Sequence, residues 1–359
     1  SLGEPDHDPP AFALEAARTA IDGPWHKYPP VNGFLDVRQA IARKFKRDNG
    51  LEYSADQIVV STGAKQAIMN VVMAMVGPGD EVVIPAPFWV TYAEQVRMAG
   101  ATPVIVRSTL EEDYKPSIAR IADAITPRTR LLMFSSPCNP SGSVLTRDEM
   151  EGLAELVRKH PALYVISDEI YEHIVFSGTH LSFATLPGMM ERTITVNGLS
   201  KAFALTGWRI GYIGAPLWIA QAASKIQGQF TSGANSIAQR VTIACMDADP
   251  KLLGGMRADF LRRRDLIVEA LKKVPGWRCN MPQGAFYVLP DASASLGKRE
   301  GVRTSVDLCL YLLDRAGVSI VEGDSFGAPN TVRISYATSD DKLIAAVDRI
   351  ADAINGLST

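Results

Sequence analysis

The sequence is poor in features that mark several classes of protein. Its 359 residues include four scattered cysteines, Cys138, Cys245, Cys279 and Cys309, without a Cys-x-x-Cys pair. Neither a zinc site nor a disulfide framework is therefore indicated, and reduced thiols in a cytoplasmic protein are expected. Basic residues are not in surplus either, because 37 Lys and Arg stand against 39 Asp and Glu. The net charge of -2 argues against nucleic acid or an anionic membrane as the main partner.

Long apolar runs and nucleotide-binding motifs are also lacking. The longest apolar stretch, residues 67–76, contains Asn70 and is far shorter than the ~20 residues of a membrane helix. The first six residues have neither the basic start nor the apolar core of a signal peptide. No G-x-G-x-x-G or G-x-x-x-x-G-K-[ST] motif occurs. What remains, 47% apolar and 21% charged residues, predicts an ordinary globular protein of about two domains.

Short apolar runs alternate with longer amphipathic stretches over residues 57–227. Continuous apolar runs bounded by turn residues are typical of strands covered on both faces. The alternation therefore predicts an α/β layer with a mostly parallel sheet. The expected strands are 57–60, 81–84, 102–106, 130–135, 163–167, 193–196 and 209–213, and the expected helices include 64–75, 89–98, 147–159 and 217–227.

The pattern changes near residue 275. A long basic-faced helix is predicted over 257–274 and ends at Pro275-Gly276, which is a strong helix stop. After it come short strands at 285–289, 319–321 and 331–335 and two helices, the pattern of a small α+β domain. We therefore expect a large domain over 28–275 and a small domain over 276–359. A single continuous domain with a decorated end is the alternative.

Candidate functional residues follow the predicted strands, where a sheet of this type binds ligands. Gly63, Ala64 and Lys65 open a helix whose free N–H groups suit a phosphate, although small residues cap many helices. Asn139 stands between two prolines in a loop that a simple turn also explains. Asp168 directly follows strand 163–167, so its carboxylate either caps a helix or faces a ligand.

Lys201 has the most unusual surroundings of the charged residues. It lies among small and apolar residues, and Arg209 follows eight positions later. A solvated lysine normally has polar neighbours. A desolvated lysine can be held as a neutral amine, the state that Schiff-base chemistry requires.

Together these segments resemble a known family. Residues 198–211 resemble, at every position, the lysine signature of the class I aminotransferases, which are pyridoxal-phosphate enzymes of fold type I. Four further motifs resemble those of the family in the same order, and the similarity covers essentially the whole chain. They are Tyr28-Pro29-Pro30-x-x-Gly33, Ser136-Pro137-x-Asn139-Pro140-x-Gly142, Asp168-Glu169-x-Tyr171 and Arg333-Ile334-Ser335-Tyr336-Ala337-Thr338.

The nearest branch of the family is the one that contains the bacterial aspartate aminotransferases, because its Gly-Gly-Lys loop is similar to residues 63–65. Members begin upstream of the motif Leu2-Gly3-Glu4-Pro5-Asp6, in which this sequence begins. Residues 1–27 are therefore expected to be the end of an N-terminal part of the small domain. The resemblance implies a seven-stranded, mostly parallel sheet between helices, a small α+β domain and pyridoxal 5′-phosphate as cofactor.

The resemblance also implies a role for each motif residue. Lys201 forms a covalent imine with the cofactor and carries the proton between substrate and cofactor, while Asp168 keeps the pyridine nitrogen protonated. Asn139 and Tyr171 bind the ring oxygen O3′. Trp89 is expected to stack on the ring, although the residues alone indicate a core aromatic. The phosphate is expected to be bound by Gly63, Ala64, Lys65, Ser200 and Arg209, and by Tyr28 from the partner of a homodimer. The substrate is expected to contact Arg333, Gly3, Asn139, Trp89 and Lys65.

The expected activity is transfer of an amino group between aspartate or glutamate and a 2-oxo acid. An aromatic, prephenate or broad-specificity aminotransferase is the nearest alternative, and a lyase or racemase would share every cofactor contact. A non-catalytic alternative is the pyridoxal-phosphate sensor domain of a transcription regulator. Lys65 is the main reason to expect an acidic substrate. Its ammonium can face the side-chain carboxylate of a dicarboxylic substrate, but it can also face the phosphate or stay in solvent.

Overall fold

A computed structural model describes residues 3–298 and 301–358 of the chain. Residues 58–214 contain a seven-stranded sheet, and residues 287–335 contain a second, three-stranded one. The strands are β1 (Ile58–Thr62), β2 (Glu81–Pro85), β3 (Thr102–Val106), β4 (Thr129–Ser135), β5 (Tyr164–Asp168), β6 (Thr193–Gly198), β7 (Ile210–Gly214), β8 (Tyr287–Val288), β9 (Val321–Glu322) and β10 (Val332–Ser335).

Helices flank both sheets. The α-helices are α1 (Ala11–Ile21), α2 (Leu35–Lys44), α3 (Gly63–Met75), α4 (Thr91–Met98), α5 (Ile118–Asp123), α6 (Arg147–Lys159), α7 (Leu217–Phe230), α8 (Ser236–Asp247), α9 (Gly254–Leu271), α10 (Ser305–Ala316) and α11 (Asp340–Asn355). Within the described part of the chain, no helix is both long and apolar enough to cross a bilayer.

The large sheet has the strand order β1-β7-β6-β5-β4-β2-β3. Neighbouring strands from β6 to β3 run parallel, whereas β7 pairs antiparallel with both β6 and β1. The prediction of a mostly parallel, seven-stranded sheet is confirmed. In such a sheet the carboxyl ends of the parallel strands share one edge, which is where this fold places a ligand site.

The continuous apolar runs of the strands arise because both faces of the sheet are covered. Successive strand residues point to opposite faces. Leu131 and Met133 of β4 therefore join a core with α3, α4 and α7, while Leu132 and Phe134 join a second core with α6. Each core excludes water from one face of the sheet, so the strands hold the site residues at their ends in fixed positions.

The second sheet has the order β8-β10-β9 and is antiparallel throughout. It forms one core with α9, α10 and α11. The predicted small α+β unit is thus present, but α9, which lies before residue 275, also packs into this core through Phe260 and Ile267. The domain boundary at residue 275 stays a prediction.

Several element boundaries differ from the predictions for physical reasons. The predicted helix 257–274 begins at Gly254 and ends at Leu271. Residues 272–274 form a tighter turn in which each N–H donates to the carbonyl three residues earlier, and Pro275 disfavours a helical conformation at residue 274. Arg209, expected in the last strand of the large sheet, instead precedes β7 and has a left-handed φ of 54°. Sequence reasoning assigned no helix to α1, α2 or α8.

Candidate active site

The candidate site lies at the carboxyl edge of the large sheet. Asp168 ends β5, Lys201 follows β6, Asn139 follows β4, and the start of α3 follows β1. Arg333 reaches the same place from β10 of the small sheet, because its guanidinium donates to the Oδ1 atom of Asn139 at 3.0 Å. Residues that are far apart in sequence are thus brought together between the two sheets.

Lys201 is the central amine of the site. Its Nζ donates a hydrogen bond to the backbone carbonyl of Gly3, the second residue of the motif Leu2-Gly3-Glu4-Pro5-Asp6. Burial lowers the pKa of the Lys201 amine to about 8, and the positive charges of Arg209 and Arg333 act in the same direction. About a tenth of the amine is therefore neutral and nucleophilic at pH 7, a far larger fraction than for a solvated lysine.

Asp168 is a buried carboxylate at the carboxyl end of β5. The Oδ2 atom accepts a hydrogen bond of 2.6 Å from the Tyr92 hydroxyl, and Oδ1 accepts one of 3.2 Å from the backbone N–H of Ile170. Burial raises the pKa of Asp168 to about 6. Among the ion pairs of residues 3–298 and 301–358, none includes Asp168, so the carboxylate is placed to receive a positively charged N–H group of a ligand.

An anion site lies where α3 begins. Gly63 has a φ of +80°, and a Cβ atom there would lie 2.5 Å from the Nη2 atom of Arg209. The left-handed conformation of Arg209 lets its guanidinium pack against this glycine, while Nη1 donates to the carbonyl of Thr206 at 2.9 Å. The free N–H groups of the helix and the guanidinium together suit a phosphate dianion.

The second cationic group of the site is held by aromatic rings. The Arg333 guanidinium lies 4.6 Å from the ring centre of Tyr287 and 4.9 Å from that of Phe326. Both Arg333 and Asn139 are buried. A planar guanidinium in a fixed orientation can bind a carboxylate through two parallel hydrogen bonds, which a lysine cannot do.

Trp89 and Lys65 lie next to each other at the rim. The Lys65 Nζ atom is 5.0 Å from the Trp89 ring centre, and the Trp89 ring meets the Tyr92 ring edge-on with 5.6 Å between centres. Tyr92 binds Asp168. Trp89 and Lys65 are thus linked to Asp168 through Tyr92, and their ring-stacking and substrate-binding roles stay predictions.

The other predicted site residues differ in burial. Tyr171 and Ser200 are buried near Asp168 and Lys201, and the Tyr171 hydroxyl lies 3.0 Å from that of Tyr287. Tyr28, expected to reach the partner's phosphate site, is 92% exposed. Ser1 and Leu2, the latter part of the predicted N-terminal motif, lie outside the described residues.

Sequence reasoning missed two tyrosines of the site, Tyr92 and Tyr287. Tyr92 follows Trp89 by three residues, a spacing that puts both on one side of a helical turn and could have indicated it. Tyr287 lies in an apolar strand that carries no signal of a site. Both are fully buried, and each contacts a residue that the motifs did identify.

A buried charge cluster supports the turn that follows Asp168. Glu172 accepts hydrogen bonds from Lys44 and from Asn49, and Glu169 binds His180 at 2.9 Å. Burial acts to raise the pKa of Glu172, but Lys44, His173 and His180 together outweigh it and hold this pKa well below its usual value. Donor atoms of Glu169, Glu172 and His180 lie within 4.8 Å of one another. Because Lys44 already neutralises Glu172, the cluster has the composition of a structural network rather than of a metal site.

Comparison with known proteins agrees with the resemblance. Residues 1–350 match the family model for aminotransferase class I and II. A Petunia hybrida protein named bifunctional aspartate aminotransferase and glutamate/aspartate-prephenate aminotransferase is 48% identical over 362 residues, which cover 99% of this chain and 76% of that protein.

Solved structures agree as well. The aspartate aminotransferase of Rhizobium meliloti superposes with a TM-score of 0.95 at 40% identity, covering 99% of this chain and 90% of its own. The aromatic aminotransferase of Pyrococcus horikoshii has a TM-score of 0.94 at 38% identity, covering 99% of this chain and 94% of its own. The predicted fold is confirmed, and the chain belongs to the class I and II aminotransferases, a family of pyridoxal-phosphate enzymes.

Proposed function

We propose that this aminotransferase moves the amino group of aspartate or glutamate to a 2-oxo acid such as 2-oxoglutarate or oxaloacetate. The observation that carries the proposal is the convergence of Lys201, Asp168 and Arg333 on one site, with Lys65 at its rim. The name of the Petunia hybrida relative supports the choice of aspartate and glutamate. A cytoplasmic location is proposed with it, and the four free thiols support that location.

The residues present fit pyridoxal phosphate. A buried carboxylate without a cationic partner among the described residues, Asp168, suits a protonated pyridine nitrogen. The cradle formed by Gly63 and Arg209 suits a phosphate, because the Arg209 guanidinium occupies the space that a side chain at position 63 would need. Tyr171, Asn139, Trp89 and Ser200 would complete the contacts. When bound, the cofactor supplies a ring that accepts the electron pair released at the substrate Cα.

The side chains divide the remaining work. Arg333 binds the α-carboxylate of the amino acid and thereby fixes the orientation of its Cα–H bond. The Lys201 amine, whose pKa burial lowers to about 8, would take that proton on Nζ and carry it from the substrate Cα to the bound cofactor. Asp168 keeps the pyridine nitrogen positively charged, and the second half-reaction uses the same groups in reverse.

A panel of amino donors tests the proposed function directly. Single-turnover absorbance spectra should show that aspartate and glutamate convert the bound cofactor to its amine form, and that 2-oxoglutarate or oxaloacetate restores the starting spectrum. A preference for phenylalanine or tyrosine would favour an aromatic or prephenate aminotransferase. Release of ammonia or pyruvate without that conversion would favour a lyase, and a spectrum that stalls after the donor is added would favour a sensor.

Replacing Lys65 should change the choice of substrate. Its ammonium lies 5.0 Å from the Trp89 ring centre, where it can reach the side-chain carboxylate of a dicarboxylic substrate. Loss of a hydrogen bond to a charged group costs roughly 1.5–3 kcal/mol, which is about 10- to 150-fold. Lys65→Ala should lower kcat/KM for aspartate and glutamate by that factor and leave alanine and phenylalanine nearly unchanged. An equal loss for all donors, or weaker cofactor binding alone, would instead place Lys65 at the phosphate.

Asp168 should make the stability of the cofactor-free protein depend on pH. Because burial raises its pKa from 3.8 to about 6, the folded chain holds a proton that the unfolded chain has lost between these values. As pH rises from about 4 to about 6, the free energy of unfolding of the wild type should therefore fall relative to that of Asp168→Asn. The fall is at most about 1.4 kcal/mol per pH unit. Urea unfolding across this range measures the difference. The cofactor should abolish it, whereas a flat difference without cofactor would show that Asp168 ionises normally.

We also propose a homodimer in which Tyr28 completes the phosphate site of the partner. The Tyr28 segment packs against residues 230–236, since Ser236 Oγ donates to the Lys27 carbonyl at 2.9 Å. Thr231 in turn accepts from Gln66 of α3, 2.8 Å away, so this region adjoins the helix that begins the anion site. Tyr28 and Phe230 are both exposed there, at 92% and 62%. Two exposed aromatic side chains beside the site support an isologous interface.

Mixing two defective variants tests the shared site. In a C2 dimer of Lys201→Ala with Tyr28→Ala, one site has both defects and the other has neither. Random exchange of protomers should therefore restore about a quarter of the wild-type sites, and light scattering should give twice the chain mass of 38.9 kDa. A mixture no more active than the mean of its components would assign Tyr28 to its own protomer or to no site, and an active monomer would refute the dimer.

A further inference from the structure

Tyr287 connects the cofactor side of the site with its substrate side. It is fully buried in β8, and its hydroxyl lies 3.0 Å from the hydroxyl of Tyr171. The face of its ring lies 4.6 Å from the Arg333 guanidinium. A Cβ atom at Gly3 would overlap the Tyr287 hydroxyl, so the N-terminal segment also packs on this side chain. One side chain thus contacts three segments that converge on the site.

The direction of the hydrogen bond between the two tyrosines follows from a count of protons. Each hydroxyl has one hydrogen to donate. Among the residues that the structure describes, Tyr171 is the hydrogen-bond partner of the Tyr287 hydroxyl. When Tyr171 donates its hydrogen to the cofactor, its oxygen must accept from Tyr287. Burial raises the pKa of Tyr287 to about 12, so its hydroxyl keeps its hydrogen over the working range of pH.

We propose that Tyr287 is a positioning residue with two separable roles. Its hydroxyl polarises Tyr171 and makes it a stronger donor to the cofactor oxygen O3′, and its ring holds Arg333 in the orientation that binds the substrate carboxylate. The inference rests on the proposed function, because it takes Tyr171 to be a cofactor ligand and Arg333 to be the carboxylate ligand.

Each role predicts a change in a different quantity. A chain of hydrogen bonds strengthens each member, so Tyr287 strengthens the bond from Tyr171. That bond favours the anionic form of O3′ and thereby lowers the proton affinity of the nearby Lys201 nitrogen. Removing the Tyr287 hydroxyl should raise the pH at which the absorbance of the bound cofactor changes. Removing its ring should weaken binding of the amino acid through Arg333.

The experiment compares four single variants and one double variant, all purified and loaded with cofactor, with the wild-type enzyme. Tyr287→Phe should raise the midpoint of the absorbance titration by roughly 0.4–1 pH unit and leave KM for aspartate within about twofold, because the ring stays. Tyr287→Leu should raise that KM roughly 2- to 30-fold. Tyr336→Phe is the matched control, since Tyr336 is fully buried in the same core but donates to the Ala285 carbonyl, and its midpoint should equal that of wild type.

Tyr171→Phe separates this inference from the proposed function. If Tyr171→Phe leaves the titration midpoint unchanged, Tyr171 is not a cofactor ligand and the proposed role of that residue fails. If Tyr171→Phe raises the midpoint but Tyr287→Phe does not, the hydroxyl role of Tyr287 is overturned. In the double variant, Tyr287→Phe should add nothing, and a full additional shift would also overturn it. An unchanged KM in folded Tyr287→Leu would overturn the ring role, and Tyr287→Phe tests the hydroxyl role even where the leucine variant fails to fold.

Discussion

Replacing Lys201 with alanine is expected to abolish measurable amino transfer and to leave the cofactor bound without a covalent bond. The physical reason is that the proton must move at a carbon atom, which needs an amine held in place and partly neutral. Burial lowers the pKa of Lys201 to about 8, so this amine meets the requirement near neutral pH. Acid–base catalysis by a positioned group is worth roughly 10²- to 10⁴-fold, and loss of the covalent bond adds to that.

Two measurements check this expectation. Steady-state turnover with aspartate should fall below detection, while equilibrium dialysis should still find cofactor bound, because Arg209 and the start of α3 remain. Lys201→Arg serves as the control, since arginine keeps a positive charge but cannot become a neutral amine. It should be as inactive as the alanine variant. Near-wild-type turnover in either variant would show that another group moves the proton.

The parallel strands could be predicted because their physics is local. A strand buried on both faces must be apolar throughout, and β3 and the helix α6 were predicted with the bounds that the structure has. The reversed direction of β7 could not be predicted, because an antiparallel strand inside the sheet has the same apolar sequence as a parallel one. Helices α1 and α2 were missed since many of their buried positions carry alanine or charged residues rather than large apolar ones.

Some residues of the candidate site could likewise be predicted from the sequence, and others could not. Lys201 and Asp168 could be named because each is a charged residue in a setting where an isolated charge is costly, whereas the role of Arg209 followed from the family resemblance. Tyr287 could not be named, and Tyr92 had only its three-residue spacing from Trp89 to indicate it, because a buried tyrosine is an ordinary core residue until its hydroxyl partner is known. Their partners, Asp168 and Tyr171, are 76 and 116 residues away in sequence. Contacts of that kind arise only from the folded arrangement of the two sheets.

Replacing Arg333 should weaken every amino donor to the same degree, in contrast with Lys65. All donors share the α-carboxylate, and the buried Arg333 guanidinium is fixed for it by Asn139 at 3.0 Å and by two aromatic rings. Removing one partner of a buried charged pair costs roughly 2–5 kcal/mol, which is about 30- to 4000-fold at 1.4 kcal/mol per decade. Arg333→Leu should lower kcat/KM for aspartate and for phenylalanine by a common factor in this range.

Arg333→Lys distinguishes the geometry of the guanidinium from its charge. Lysine restores the charge but offers a single point of attachment in place of two parallel hydrogen bonds, so kcat/KM should recover only in part. After circular dichroism has verified the fold, kcat/KM is measured with aspartate and with phenylalanine for both variants. The ratio of the two losses then shows which carboxylate Arg333 binds. A common loss for both donors places Arg333 at the α-carboxylate. A loss confined to aspartate would place it at the side-chain carboxylate instead, and Lys65 would then lose its role in the choice of substrate.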